Sequence, residues 1–511
     1  DRSSYSRSFS NDYEEIRRFL RKLLDKELWN DPKSKAGTFY KACMRSAYIA
    51  KEDWEPMLPF AKVIQRAVSS SPPSIAKAIG ELRALGVGTT YGMYLDGDFD
   101  EPSKYTMYLG QGGLALPGRN YYIQNDTENT NIRKAYHQFT EQMFSDLARA
   151  GRSKKELKLD IGTASEAATS VLEFETMLAV AAAPPDEVRD PSKTNNRITA
   201  TDRQKLLIEQ TLLGWGAENE TIQSARLVID YPPFFSKYAD MLQNVDAAKW
   251  RAYLTAHALR ALAGEGLLGS KPKDQLFELS KVLYGVKVPM ERWKFCYGKT
   301  NGYAGEALGS EFVKRRFPEE DKGHALTFVK QIQAAFGRAL DKNEWMDSTT
   351  KDAAREKLNG VGWKIGFSEK LDLLEDVQLH DRGYSDNIAK VERHATLKEL
   401  AKFKSGQVQK EEWFMLPHEV NAYYEPSMNE MVFPAGILQP PFYSDQFPAS
   451  MNYGGIGAVM GHELSHGFDD GGRNYDKNGK LRDWWTHESG KKFENRTQCV
   501  VDLYSGFSPS T

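Results

Sequence analysis

The sequence predicts a mainly α-helical protein with small β elements, an α+β fold built from more than one lobe. Long stretches place apolar residues at three-and-four spacing, and short β-favouring runs replace them after about residue 410. The chain has 511 residues, 40% of them apolar and 12% aromatic, which is enough to bury a large interior. Because single cores stop growing at roughly 250–300 residues, this length predicts two or more lobes.

Most of the chain before residue 360 has helical periodicity. An amphipathic pattern covers residues 13–70, Ser71-Pro-Pro-Ser interrupts it, and the next helix is predicted to begin near Ile75. Residues 89–100 instead have a short β-like pattern with glycines. Further helices are predicted over residues 131–150, 163–183, 200–213, 246–286 and 322–360.

The β-favouring runs after residue 410 are Trp413-Phe-Met-Leu-Pro, Val420-Asn-Ala-Tyr-Tyr and Met431-Val-Phe-Pro. The last two flank Glu425-Pro-Ser-Met-Asn, which has the composition of a turn. Two strands, a turn and a following helix together predict a unit that faces a substrate.

Charge and hydropathy exclude several classes of function. Lys and Arg number 68 against 70 Asp and Glu, so the net charge of -2 gives no general attraction to nucleic acid or to an acidic membrane. No stretch reaches the ~18 consecutive apolar residues that span a bilayer.

Taken alone, an odd number of cysteines favours reduced thiols in a cytosolic protein. The cysteines are Cys43, Cys296 and Cys499.

The sharpest chemical pattern is Gly461-His-Glu-Leu-Ser-His-Gly, which contains His-Glu-x-x-His. On a helix, His462 and His466 lie on one face, where two neutral imidazoles take two positions of a tetrahedral zinc. Glu463 then stands beside the attacking water, accepts its proton and passes it to the leaving amine. The alternative is a core helix with two satisfied histidines, and an apolar stripe predicts that the helix packs into a core. The stripe is Ile456, Met460 and Leu464.

A catalytic zinc needs a third protein ligand. Asp469, three residues beyond His466, is predicted to orient that imidazole ring as a hydrogen-bond acceptor. Glu488 and Glu494 follow, but nothing in their surroundings marks them as ligands. The residues alone therefore leave the third ligand unidentified.

Nine segments, in this order, resemble neprilysin and the endothelin-converting enzymes, and the likeness runs from about Phe39 to Tyr504. They are Gly112-Gly-Leu-Ala-Leu-Pro, Leu172-Glu-Phe-Glu-Thr-Met-Leu-Ala, Arg292-Trp-Lys-Phe-Cys, Trp345-Met-Asp-Ser-Thr-Thr-Lys, Asn421-Ala-Tyr-Tyr, Val432-Phe-Pro-Ala-Gly-Ile-Leu-Gln-Pro-Pro-Phe, Asn452-Tyr-Gly-Gly-Ile-Gly, Gly461-His-Glu-Leu-Ser-His-Gly-Phe-Asp-Asp and Asp483-Trp-Trp. The resemblance implies a two-lobed zinc endopeptidase of oligopeptides. Residues 341–511 would form a thermolysin-like catalytic lobe, and residues 1–340 a mostly helical lobe that caps it.

The resemblance also assigns roles. His462 and His466 would bind Zn²⁺ and Glu463 would be the general base, while Asn421 and the backbone of Ala422 would hold the substrate. An exposed strand suits that last role, because an extended peptide adds to it as a further strand. Three apolar residues match the family's primed-side pocket, which implies cleavage on the amino side of large hydrophobic residues. They are Ile437, Phe442 and Val459.

Cys43 and Cys296 match the two halves of a family disulfide, and Cys499 matches a cysteine whose partner comes later. This replaces the cytosolic expectation with an extracellular one, either secreted or at the cell surface as a single-pass type II membrane protein. The expected partners are peptides and not nucleic acid, with membrane contact only through an anchor outside this chain. Three glycosylation acceptors gain weight in that setting. They are Asn125, Asn219 and Asn495.

By the same resemblance, family members continue past the counterpart of Thr511 into a helix with a glutamate zinc ligand. The catalytic lobe is therefore expected to be incomplete at its C-terminal end. Two alternatives remain: a shortened, non-catalytic homologue that binds peptides or partners, and a cytosolic helical scaffold with an accidental motif.

Overall fold

A computed structural model describes residues 7–67, 71–185, 187–188 and 191–507, and its helices and few short strands confirm the mainly α-helical class. The helices are α1 (Arg7–Asp25), α2 (Glu27–Asn30), α3 (Lys35–Met44), α4 (Ser46–Glu52), α5 (Leu58–Arg66), α6 (Pro72–Ala84), α7 (Asn120–Ile123), α8 (Thr127–Ser153), α9 (Ala164–Ala181), α10 (Pro191–Thr194), α11 (Ala200–Lys205), α12 (Ile208–Trp215), α13 (Asn219–Ser224), α14 (Pro232–Asn244), α15 (Ala247–Gly264), α16 (Ser270–Tyr284), α17 (Arg292–Arg316), α18 (Glu319–Lys342), α19 (Ser348–Asn359), α20 (Tyr384–Ser405), α21 (Ala449–Gly454), α22 (Ile456–His466) and α23 (His487–Ser505). The strands are β1 (Tyr91–Gly97), β2 (Tyr105–Gln111), β3 (Asn196–Arg197), β4 (Leu227–Ile229), β5 (Gly362–Gly366), β6 (Tyr423–Glu425) and β7 (Glu430–Pro434).

The N-terminal amphipathic segment is helical but divided into α1 to α5, and its predicted residues 68–70 lie outside the described ones. One division follows from Pro32 together with Ser34, whose side chain accepts the Gly37 N–H and caps α3. The next helix, α6, begins at Pro72 and not near Ile75, because proline suits the first helical turn, where its missing N–H has no partner to lose.

The five later helices predicted from periodicity are present, with three of them divided at glycines or short loops. The predicted helix over 246–286 divides between α15 and α16, where Gly266 and Gly269 adopt left-handed φ values of +70° and +82°. The pattern missed α14, α17 and α20.

Two small sheets lie among the helices. The first has the order β1-β2-β4-β3, with β1 and β2 antiparallel and Tyr91 opposite Gln111. The second has the order β5-β7-β6, with β5 parallel to β7 and β6 antiparallel to it. Within the described part of the chain, β6 therefore pairs on one side only and forms an edge of its sheet.

The prediction of a strand at Trp413-Phe-Met-Leu-Pro is wrong, since this run is an irregular loop. Among the described residues it has no ladder of strand hydrogen bonds, and its backbone groups, with those of the residue before it, pair with scattered side chains and backbone groups, including the Pro417 carbonyl with the Gly436 N–H at 2.9 Å. The N–H of Phe414 donates to the Tyr423 hydroxyl at 2.9 Å, and the carbonyl of Glu412 accepts from Lys364 Nζ at 2.9 Å.

A disulfide joins Cys43 on α3 to Cys296 on α17, and both residues are fully buried. Farther along the chain, α18 packs against α22, with the Phe336 and Phe468 rings 5.1 Å apart. The lobe boundary proposed at residue 340 thus falls inside α18.

Among the helices that the structure describes, none combines the length and the apolar character that crossing a bilayer requires.

Candidate active site

Helix α22 carries the His-Glu-x-x-His motif and is anchored by the predicted apolar stripe. Ile456, Met460 and Leu464 are all completely buried, so one face of the helix is fixed in the core. The opposite face presents His462 to solvent, while His466 is half-buried at the last helical position.

The two imidazoles converge on one point. Their Nε2 atoms lie 3.1 Å apart, and the ring centroids are 4.6 Å apart. Two nitrogens bound to one tetrahedral zinc at about 2.0–2.1 Å would be separated by about 3.3–3.4 Å. The observed spacing therefore suits two zinc ligands with almost no rearrangement.

Glu463 lies between the two histidines in sequence, but its side chain turns toward the protein interior and is 6% exposed. Burial raises the pKa of Glu463 above its ordinary value, while the two neighbouring histidines act in the opposite direction. A carboxylate with a raised pKa is a better proton acceptor, which is the property that a general base requires.

Asp469 lies where the sequence analysis places it, beside the ring of His466. Its Oδ2 is 2.7 Å from His466 Nδ1, and its Oδ1 accepts the N–H groups of Gly471 at 3.0 Å and Gly472 at 2.7 Å. A carboxylate at Nδ1 selects the tautomer with the proton on that nitrogen, which leaves Nε2 free to bind a metal.

The donor set fits part of a zinc site. Across residues 7–507, leaving out the undescribed gaps, no cluster of three His, Cys, Asp or Glu side chains is placed to hold a metal. Glu488 pairs with Lys492 at 2.5 Å, and Glu494 lies 3.6 Å from Arg473. The described residues thus supply two imidazoles and a base, and no third ligand.

Strand β6, which follows the predicted substrate-binding residues, lies next to α22. Asn421 is exposed and Ala422 is buried, and both directly precede edge strand β6. Strand β6 packs against α22, where the Tyr424 hydroxyl group closely approaches Gly467. A free strand edge beside the two imidazoles is the geometry in which an added peptide strand would pass the metal position.

Of the three predicted pocket residues, Val459 lies on α22, whereas Ile437 and Phe442 belong to the segment between β7 and α21, and the three differ in exposure. Ile437 and Phe442 are buried, whereas Val459 is half-buried, one turn before His462. The carbonyl of Phe442 accepts the N–H of Ile456 at 2.9 Å and so ties this segment to the start of α22. Their role in a specificity pocket stays a prediction.

Sequence reasoning missed Lys357, a buried lysine on α19 that contacts the loop after α22. Burial lowers the pKa of Lys357 to about 7, and the carboxylates of Asp476 and Asp469 act against this lowering. Nothing local distinguishes it from the solvated lysines of other amphipathic helices. The one available signal was its place shortly after the family-like segment Trp345-Met-Asp-Ser-Thr-Thr-Lys.

Comparison with known proteins identifies the family. Models described as peptidase family M13 match residues 1–368 and residues 421–511. The chain therefore belongs to peptidase family M13, and the resemblance to neprilysin-like and endothelin-converting enzymes is confirmed.

Among curated relatives, mouse (Mus musculus) membrane metallo-endopeptidase-like 1 is 32% identical over 93% of this chain and 64% of its own length. Human (Homo sapiens) endothelin-converting enzyme 1 is 29% identical over 98% of this chain and 66% of its own length. The chain thus spans about two thirds of each of these proteins.

Solved structures give the same fold. The zinc metalloprotease ZMP1 of Mycobacterium tuberculosis, in complex with an inhibitor, superposes with a TM-score of 0.87 at 28% identity, over 98% of this chain and 75% of that one. PEPO from Lactobacillus rhamnosis superposes with a TM-score of 0.84 at 23% identity, over 99% of this chain and 79% of that one, which supports the fold alone.

Proposed function

We propose that the protein is a zinc-dependent endopeptidase that hydrolyses oligopeptides on the amino side of large hydrophobic residues. The observation that carries this proposal is the convergence of two imidazoles, 3.1 Å apart at Nε2, beside the buried carboxylate of Glu463 and a free strand edge. Membership of family M13 and the zinc metalloprotease among the structural neighbours support it.

In the proposed mechanism, His462 and His466 would hold the zinc, and Asp469 keeps the His466 ring oriented. When bound, zinc supplies Lewis acidity that polarises the scissile carbonyl and makes a water molecule more acidic. Asn421 and the backbone of Ala422 hold the peptide in extended form. Glu463 takes the proton from the attacking water and delivers it to the leaving amine.

The N-terminal helical region, proposed as residues 1–340, would limit access to short peptides. We further propose an extracellular or cell-surface location, which the buried disulfide between Cys43 and Cys296 supports, because such bonds persist in oxidising compartments. Glycosylation at Asn125, Asn219 and Asn495 belongs to the same proposal, and all three side chains are exposed.

Hydrolysis of internally quenched peptides by the intact natural protein tests this function. We expect cleavage before Phe or Leu, loss of cleavage with a zinc chelator, and a fall of at least ~10³-fold for Glu463→Gln with zinc still bound. Glu488→Gln is the matched control, because the exposed Glu488 only pairs with Lys492 on α23.

The alternative is a shortened, non-catalytic homologue that binds peptides or partners through the same cleft. It predicts peptide binding without hydrolysis, in both the wild type and the Glu463→Gln variant. Saturable peptide binding with no chelator-sensitive cleavage would replace the enzyme proposal with this one.

A further inference from the structure

Lys357 lies near the end of α19, and only 1% of its surface is exposed. Its Nζ donates to three backbone carbonyls, those of Gly467 at 2.7 Å, Gly472 at 2.8 Å and Tyr475 at 2.6 Å. An ammonium group has three N–H donors, so every donor has an acceptor here. The lysine is therefore committed to the backbone of residues 467–475, which we name the ligand-support loop.

Aromatic rings surround the same ammonium. Its nitrogen lies 5.6 Å from the ring centre of Phe468, 5.7 Å from that of Trp484 and 5.9 Å from that of Tyr424. These distances are within the range of cation–π attraction, and the rings shield the charge from water. A lysine enclosed in this way is unavailable to a substrate and acts on the loop alone.

The ligand-support loop connects Lys357 to a zinc ligand. Gly472, whose carbonyl accepts from Lys357, donates its own N–H to Asp469 Oδ1 at 2.7 Å. The other oxygen of Asp469 lies 2.7 Å from His466 Nδ1. A continuous series of hydrogen bonds thus runs from the buried ammonium to the imidazole.

The loop also folds tightly onto the end of α22. A Cβ added at Gly472 would lie 1.7 Å from the carbonyl oxygen of His466, so only glycine fits at this position. Without the ammonium, the carbonyls of Gly472 and Tyr475 would keep the Tyr475 N–H at 3.1 Å and the Trp484 Nε1–H at 3.0 Å, whereas the carbonyl of Gly467 would lose its donor in a buried space. An unpaired buried carbonyl has a desolvation cost, which we expect the loop to relieve by moving, and Asp469 moves with it.

We propose that Lys357 is a positioning residue of the zinc site. It holds the ligand-support loop in place so that Asp469 keeps the His466 ring turned with Nε2 toward the metal. This inference deepens the proposed function and rests on it, because it takes His466 to be a zinc ligand.

Zinc affinity of the intact natural protein, measured by competition with a chromophoric chelator, tests the inference. We expect Lys357→Met to weaken zinc binding about 10-fold or more, the range seen when supporting contacts of a metal ligand are removed. Lys364→Met is the matched control: this lysine on β5 is also largely buried and also donates to a backbone carbonyl, that of Glu412, but it does not contact the loop. Its zinc affinity should equal that of the wild type.

A double-mutant cycle separates positioning from general destabilisation. If Lys357 acts through Asp469, then Lys357→Met combined with Asp469→Asn should weaken zinc binding little more than Asp469→Asn alone. Fold-changes that multiply would show that Lys357 acts independently of Asp469, and this would overturn the inference.

Lys357→Gln covers the case in which the methionine variant does not fold: its amide has only two donors, so at least one of the three carbonyls loses its bond to residue 357. Weaker zinc binding by this variant supports the inference, and wild-type affinity overturns it.

In the unmodified protein, zinc binding should also slow hydrogen exchange at the Gly472 amide, and an unchanged exchange rate counts against the hydrogen-bonded connection between Lys357 and His466. Wild-type protein that binds no zinc would overturn the proposed function itself, whereas unaltered affinity in the Lys357 variants overturns this inference alone.

Discussion

The disulfide between Cys43 and Cys296 closes a long covalent loop, and its removal should strongly destabilise the protein. The two cysteines are 253 residues apart and fully buried, and they join α3 to α17. The perturbation is the double variant Cys43→Ala/Cys296→Ala, which removes the bond without adding a buried polar group.

The magnitude follows from loop closure. For a loop of 253 residues, the chain-entropy relation gives a loss of about 19 cal/mol/K, or about 5.5 kcal/mol at room temperature. Local hydrogen bonds that do not involve the sulfurs remain, such as the one from Thr300 Oγ1 to the carbonyl of Cys296 at 2.8 Å. The expected loss in the free energy of unfolding is therefore dominated by the unfolded state.

Urea unfolding, followed by tryptophan fluorescence, measures this loss. These measurements use the 511-residue chain, in which Cys499 is an exposed free thiol. Cys499→Ala is the matched control, since its replacement should leave the unfolding midpoint unchanged. A double variant that unfolds at the same urea concentration as the control would refute the loop-closure reasoning. Thiol titration of the unreduced, denatured 511-residue chain should find one free thiol, and three would refute the bond itself.

Three further outcomes are expected. Burial lowers the pKa of His418 to about 4, so the unfolded state binds its proton below pH 6.5 and the folded state does not. The free energy of unfolding therefore falls by about 3 kcal/mol as the pH drops from 6.5 to about 4. In urea unfolding, His418→Gln should remove this pH dependence, and the exposed control His487→Gln should retain it. Burial raises the pKa of Asp12 to about 8, so the folded state keeps a proton that the unfolded state loses, and the free energy of unfolding falls as the pH rises from about 4. Asp12→Asn should therefore be more stable than the wild type at pH 7, by up to about 4 kcal/mol. No gain in stability would contradict the burial argument. Asn421→Ala should lower kcat/KM for quenched peptides about 10-fold, mainly through KM, because a hydrogen bond to the peptide is worth ~1 kcal/mol or more. The control is Asn478→Ala, on an exposed turn. An equal loss in this control would show that Asn421 does not bind the peptide.

Sequence periodicity predicted the helical regions well wherever one face of a helix is continuously apolar. It failed at Trp413-Phe-Met-Leu-Pro, where β-favouring residues form a loop because the Tyr423 hydroxyl, and not a neighbouring strand, takes the backbone N–H of Phe414. It also missed α17 and α20, whose contacts with distant elements override weak local patterns. Strand propensity depends on which neighbours are present, and a single sequence does not show them.

Local spacing in the sequence was enough to place His462 and His466 together on α22, because residues four apart meet on one face of any helix. The position of the apolar stripe on the opposite side of that helix also follows from local geometry, whereas its burial depends on the elements that pack against it. Tertiary structure alone decided that β6 is an edge strand and that Lys357 reaches a loop beginning 110 residues later at Gly467. Contacts of that separation depend on how the helices pack around one another, and no local spacing in the chain encodes them.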